Sequence, residues 1–283
     1  MSGGARPRRP FPYHSPMGPR IAAVLAAAAL LWLAAAPARA AATVFLDELT
    51  WTELRDAVKA GATTVIVPVG GTEQSGPHMT LGKHNVRVRA LAGRIAAELG
   101  HALVAPVIAY APEGNVSPPS SHMRFPGTIS VPVETFEKTL EYAARSLRQA
   151  GFRDIVLIGD HGGYQSSLSS VERKLDREWA ATPVRVHAVL RYYRALEETY
   201  KTALKARGFS DDEIGIHAGL ADASLALAVD PRIVRADRMK EPPRAADGTY
   251  GDPRRASAEL GELGVNAIVR ETVEAIRQAE RRR

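Results

Sequence analysis

A six-residue apolar run, Thr64-Val-Ile-Val-Pro-Val69, passes without a spacer into the glycine-rich turn Gly70-Gly-Thr-Glu-Gln-Ser-Gly-Pro-His78, and this junction constrains the chain most. The run is too short for a buried helix and too β-branched to favour one, so it reads as an inner strand of a parallel sheet. Ligands of such sheets bind beyond the carboxyl ends of the strands. Glu73, His78 and His84 follow at that end, and glutamate with histidine is the residue chemistry of a catalytic zinc-like site.

The same unit recurs along the chain. Thr50 and Glu53 have the spacing of a capping box, opening a helix that stops at Gly61. Apolar Val88, Leu91, Ile95 and Leu99 predict a helix from about Val86, and a strand is expected over 103–108. Residues 110–127, rich in proline and glycine, form a long loop of the kind that usually carries function, with His122 near its end. A helix over 135–149, a strand over 154–159 and a turn carrying His161 come next, then a helix over 167–179 and a strand over 184–190. A polar helix over 192–208 is expected outside the main sheet. One α/β domain over residues 41–283 results, a three-layer α/β/α sandwich with a mainly parallel sheet.

The first forty residues read differently. Arg6, Arg8, Arg9 and Arg20 precede an apolar run, 21–36, that ends in Ala38-Arg-Ala40, the pattern of a secretory signal peptide cleaved after Ala40. Residues 1–40 contain five arginines and no acids, so the mature chain carries 32 basic and 31 acidic residues instead of the full chain's net +6. No basic patch remains to argue for nucleic acid, and no stable membrane association is expected after cleavage. The expected location is periplasmic or secreted. Without cysteine, any metal must be held by histidines and carboxylates.

Pro68-Val-Gly-Gly-Thr-Glu73-Gln, Gly76-Pro-His78, Phe125-Pro-Gly-Thr128, His161-Gly-Gly163, His217-Ala-Gly219 with Asp222 and Ser224, and Gly251-Asp-Pro253 together resemble the creatininase family of metal-dependent amidohydrolases. The resemblance implies an α/β/α fold, a two-metal hydrolytic centre, homo-oligomers built as hexamers, and small or cyclic amides as substrates. The departures matter as much. Ser75 stands where the family pattern has a histidine for the second metal, His84 where it has a bridging aspartate, and Asp222 where it has a glutamate. Imidazole offers one lone pair per nitrogen and cannot bridge two metals as a carboxylate does.

Carried over residue by residue, Glu73, His84 and His161 are the expected metal ligands. They would hold one divalent ion per chain, zinc first, with manganese or iron as alternatives. His217 takes the proton-shuttle position. Asp222 orients it, assists a second ion, or caps a helix, while His78 could substitute for the ligand lost at Ser75. The leading expectation is an exported amidohydrolase that attacks a small cyclic amide with metal-activated water. The competing class is a non-catalytic metal- or ligand-binding protein that keeps the fold, and a metal-dependent oxygenase or isomerase is a third.

Overall fold

The structure, a computed structural model, describes residues 43–282. The expected signal segment therefore lies outside the described residues. Among the described residues, no helix is long and apolar enough to cross a membrane.

Four parallel strands, β1 (Thr64–Val69), β2 (Ala102–Val104), β3 (Asp154–Gly159) and β4 (Arg185–Ala188), form a sheet in the order β2-β1-β3-β4. All six residues of β1 and of β3 are buried, as expected for inner strands covered on both faces. The pleat sends alternate side chains to opposite layers. Val65, Val67, Val69, Ile155 and Leu157 pack with α1 (Trp51–Lys59), α3 (Val133–Gln149) and α4 (Gln165–Glu178). Ile66, Val156 and Ile158 pack with α2 (Lys83–Leu99), a helical run over 191–205 (α5), α7 (Leu220–Val229) and α8 (Ala258–Glu280). A short helix, α6 (Asp211–Ile214), precedes α7. Burying each large side chain of these layers contributes roughly 1.5–3 kcal/mol. The chain is thus a three-layer α/β/α sandwich.

Local chemistry fixes several boundaries. Thr50 accepts from the backbone N–H of Glu53, whose carboxylate accepts in return from the Thr50 N–H, so α1 starts in a full capping box. β2 ends at Val104, short of the expected 108, because Pro106 has no N–H to donate to a ladder; only an isolated bridge joins Ile108 to Val69. α2 starts at Lys83, three residues before the expected start, so Lys83 and His84 stand on its first turn. The run over 191–205 is helical and outside the sheet, as expected, but it is not a wholly polar helix. It includes a π-helical segment, Ala195–Tyr200, and buries Tyr192, Leu196, Tyr200 and Leu204 in the cluster shared with α8.

Candidate metal centre

The carboxyl ends of β1 and β3 are tied together by one buried phenol. Tyr164 donates to Val69 O at 2.9 Å and accepts from the N–H groups of Asp160 and His161, both at 3.1 Å. The loop after β1 and the turn after β3 are thereby held side by side, which brings Glu73 and His161 together: Glu73 Oε2 lies 3.5 Å from His161 Nε2.

Glu73 is fully buried and is the centre of the constellation. Two sets of three donor atoms each lie within 4.8 Å of one another and share it: Glu73, Glu113 and His161, and Glu73, His122 and His217. Oε2 of Glu73 and both carboxyl oxygens of Glu113 are buried without hydrogen-bond partners. Buried acceptors left this way cost free energy unless a cation answers them. Oxygen and imidazole donors converging with open valences are the chemistry of a divalent metal site, so the residues present suit such an ion.

Glu113 was not among the residues singled out from the sequence. It enters from the loop after β2, packed against Gly71, where φ is +154° and a Cβ would lie 2.4 Å from Glu113 Oε1. Only glycine leaves that space free. Burial, with the negative charge of Glu73 beside it, pushes the Glu113 carboxyl up to about 9. Burial acts the same way on Glu73, but the hydrogen bond from His84 and the electrostatic attraction of the His84, His161 and Lys83 side chains outweigh it and hold Glu73 well below the usual carboxylate range. Without a metal, one of these two neighbouring carboxyls keeps its proton.

His84, expected as a ligand, is clamped between two carboxylates: Nε2 is 2.8 Å from Glu73 Oε1 and Nδ1 is 2.6 Å from Asp160 Oδ2. It belongs to neither three-donor set. His217, expected as proton shuttle, lies with Nδ1 3.7 Å from Glu73 Oε1 and Nε2 3.0 Å from the Gln74 carbonyl. The Gln74 amide nitrogen lies 2.9 Å from His122 Nδ1 and 3.1 Å from His217 Nε2, joining the two rings. Burial, reinforced by Lys83, depresses His217 to about 3, and burial with the neighbouring cations depresses His161 to about 4, so both rings are neutral at pH 7. His78 is buried with Nε2 unpartnered and joins neither set, and Ser75 Oγ is likewise unpartnered.

Asp222 does not reach His217 through its side chain. It accepts from Lys83 Nζ at 2.7 Å, from Arg87 Nη1 at 2.9 Å and from the Ala218 N–H at 2.9 Å. The last contact braces a residue at φ +55°, adjacent to His217, so Asp222 holds the backbone that presents that ring. Burial opposes ionisation of Asp222, but Lys83 and Arg87 keep it well below the usual range.

Beside these rings a cleft of about 440 Å³ is lined by Gln74, Ser121, His122, Arg124, Phe125 and Tyr250, among others. A protein-family model, "Creatininase: Creatinine amidohydrolase", matches residues 47–276. The creatinine amidohydrolase of Pseudomonas putida is 31% identical over 259 residues, covering 83% of this chain and 97% of that protein. The 3-dehydro-scyllo-inosose hydrolase of Thermotoga maritima is 26% identical, over 68% of this chain and 58% of its own length. The mycofactocin precursor peptide peptidase of Mycolicibacterium smegmatis is 36% identical, over 38% of this chain and 42% of its own. Among solved structures, a creatininase described as "Creatininase Mn" superposes with a TM-score of 0.67 at 31% identity, covering 84% of this chain and 98% of that one. A variant creatininase of "Zn-Zn type" gives 0.68 at the same identity and coverage. Metal-bearing relatives thus share the sandwich over most of their length, and with the family model matching residues 47–276 the chain belongs to the creatininase family of hydrolases.

Proposed function

We propose that this protein is an exported, metal-dependent amidohydrolase that cleaves a carbon–nitrogen bond of a small cyclic amide or a related compound. The observation that carries the reading is the buried Glu73, shared by two sets of oxygen and imidazole donors and next to a cleft of about 440 Å³. Glu73, Glu113 and His161 would hold the ion, zinc first and manganese second. Such an ion supplies Lewis-acid polarisation of the scissile carbonyl and activation of water.

The chain's own residues handle the proton. His217 is neutral at pH 7, so it can take a proton from the attacking water and return it to the departing nitrogen. Asp222 and Gln74 keep that ring in place, one through the Ala218 N–H and the other through its amide and carbonyl. Arg124 lines the cleft and has no carboxylate partner among the described residues, which favours a substrate with an anionic group. Phe125 and Tyr250 offer flat apolar surface beside it.

Export rests on the arginine-rich, apolar and Ala-x-Ala pattern of residues 1–40. Mass spectrometry of the exported protein should find Ala41 as its first residue. The enzymatic test is hydrolysis by zinc- or manganese-loaded protein of a panel of creatinine, lactams, cyclic ureides and short peptides. Turnover of a cyclic amide supports the reading; cleavage of peptides alone would overturn its substrate class. A folded, metal-loaded protein that turns over nothing in the panel would favour the non-catalytic binder.

A further inference from the structure

Lys83 is an unusual residue to find in the interior. Its side chain is 1% exposed, yet its ammonium faces two carboxylates, Asp222 Oδ2 at 2.7 Å and Glu73 Oε1 at 4.0 Å. A lysine enters such a place only when anions already there repay its desolvation. Arg87, one turn along α2 and 2% exposed, completes the arrangement by bridging Asp222 and Asp160. His84 closes it between Asp160 and Glu73. The Oε1 side of Glu73 is therefore served by charges covalently part of the chain, whereas Oε2, facing His161 at 3.5 Å and His122 at 3.2 Å, has no hydrogen-bond partner.

We propose that Lys83 is a built-in cation of the centre: it occupies the positive-charge position between Glu73 and Asp222 and limits the protein to one divalent ion, held on the Oε2 side with Glu113 and His161. The inference rests on the reading that Glu73 helps hold a metal, and by it the two donor sets sharing that carboxylate would not both fill. Of the other donor set, His217 Nδ1 lies 3.7 Å from Oε1 and His122 Nε2 3.2 Å from Oε2. An ion bound by His122 and His217 would share Glu73 with the ammonium and be repelled by it, since like charges a few ångströms apart in a buried site are only weakly screened. Removing the ammonium leaves Glu73 Oε1 and one oxygen of Asp222 without their cation, and a second divalent ion then becomes the favoured replacement.

The test counts ions. Chelator-stripped, full-length mature protein is titrated with zinc and, separately, with manganese; bound metal is measured by calorimetry and by elemental analysis after gel filtration. The wild type should take up one ion per chain, Lys83→Arg one, and Lys83→Met two. Two ions in the wild type would overturn the role of Lys83 while leaving the metal reading intact, as would a folded Lys83→Met protein that still binds one. No ion in the wild type would overturn both. Circular dichroism establishes whether Lys83→Met is folded; if it is not, the wild-type count and that of Lys83→Gln, which keeps a polar chain without the charge and should also bind two, decide the matter.

Discussion

The δ-nitrogen of His84 lies 2.6 Å from Asp160 Oδ2, and with Glu73, Glu113 and His161 as the proposed donors this pairing gives His84 the role of supporting a ligand. With its other nitrogen 2.8 Å from Glu73 Oε1, His84 aims the carboxylate and leaves Oε2 for an ion. Replacing a group that orients a ligand typically costs 10- to 100-fold in metal affinity, and losing the ligand itself costs more. His84→Gln should therefore weaken zinc binding by about 10- to 100-fold. Glu113→Gln should weaken it by more than about 100-fold. Competition with a fluorescent chelator measures both; the reverse ranking would make His84 the ligand and Glu113 a bystander.

His217→Ala should lower the catalytic rate roughly 100- to 10,000-fold, the usual contribution of a general acid or base. The variant should keep its metal, because the proposed donors are Glu73, Glu113 and His161. Elemental analysis of the purified variant provides the check. Loss of metal together with activity would assign His217 to the ion instead.

Arg87 is the interior's main counter-charge, donating to Asp160 at 2.7 Å and to Asp222 at 2.9 Å. Arg87→Leu keeps apolar bulk but leaves two buried carboxylates short of a partner. Breaking a buried pair in this way costs about 3–5 kcal/mol, so denaturant unfolding should show a lowered midpoint with a similar slope. A change below about 1 kcal/mol would mean that water reaches and solvates these carboxylates.

The acid limb of stability should depend on Glu141. Its carboxylate accepts from Lys174 at 2.7 Å, Arg145 at 2.8 Å and Lys138 at 3.2 Å, and these bonds outweigh partial burial to hold it down to about 2 from an ordinary 4.5. A carboxyl depressed by folding contributes stability that is fully present above its unfolded value and is lost as pH falls towards its folded one. Unfolding curves from pH 5 to pH 2 should therefore fall less steeply for Glu141→Gln than for the wild type. At pH 7 the substitution should cost about 1 kcal/mol, since two of the three partners are half exposed and solvent screens them.

How much of this was legible in the residues follows from where each interaction reaches. β1 and β3 could be read within a residue, because a short β-branched run and the glycines around it are local signals, and the Thr50 capping box is local too. The closeness of Glu73 and His161 was also legible: both follow parallel strands, and parallel neighbours end on the same side of a sheet. Ser75 and His84 could be recognised as departures from a family pattern by position alone. What the departures accomplish was not. Nothing local marks Glu113, whose loop carries no donor spacing and reaches Glu73 only after β2 has docked beside β1. Nothing local marks Lys83 and Arg87 as interior residues, since charge is normally kept in water. Tertiary structure places them there by supplying Asp160 and Asp222 from 73 and 139 residues further along the chain, as partners for Arg87 and Lys83. The free energy of a buried charge is set by what surrounds it in space; sequence determined the sandwich and one edge of the site, and packing decided which charges could be interior and which donors remain open for a metal.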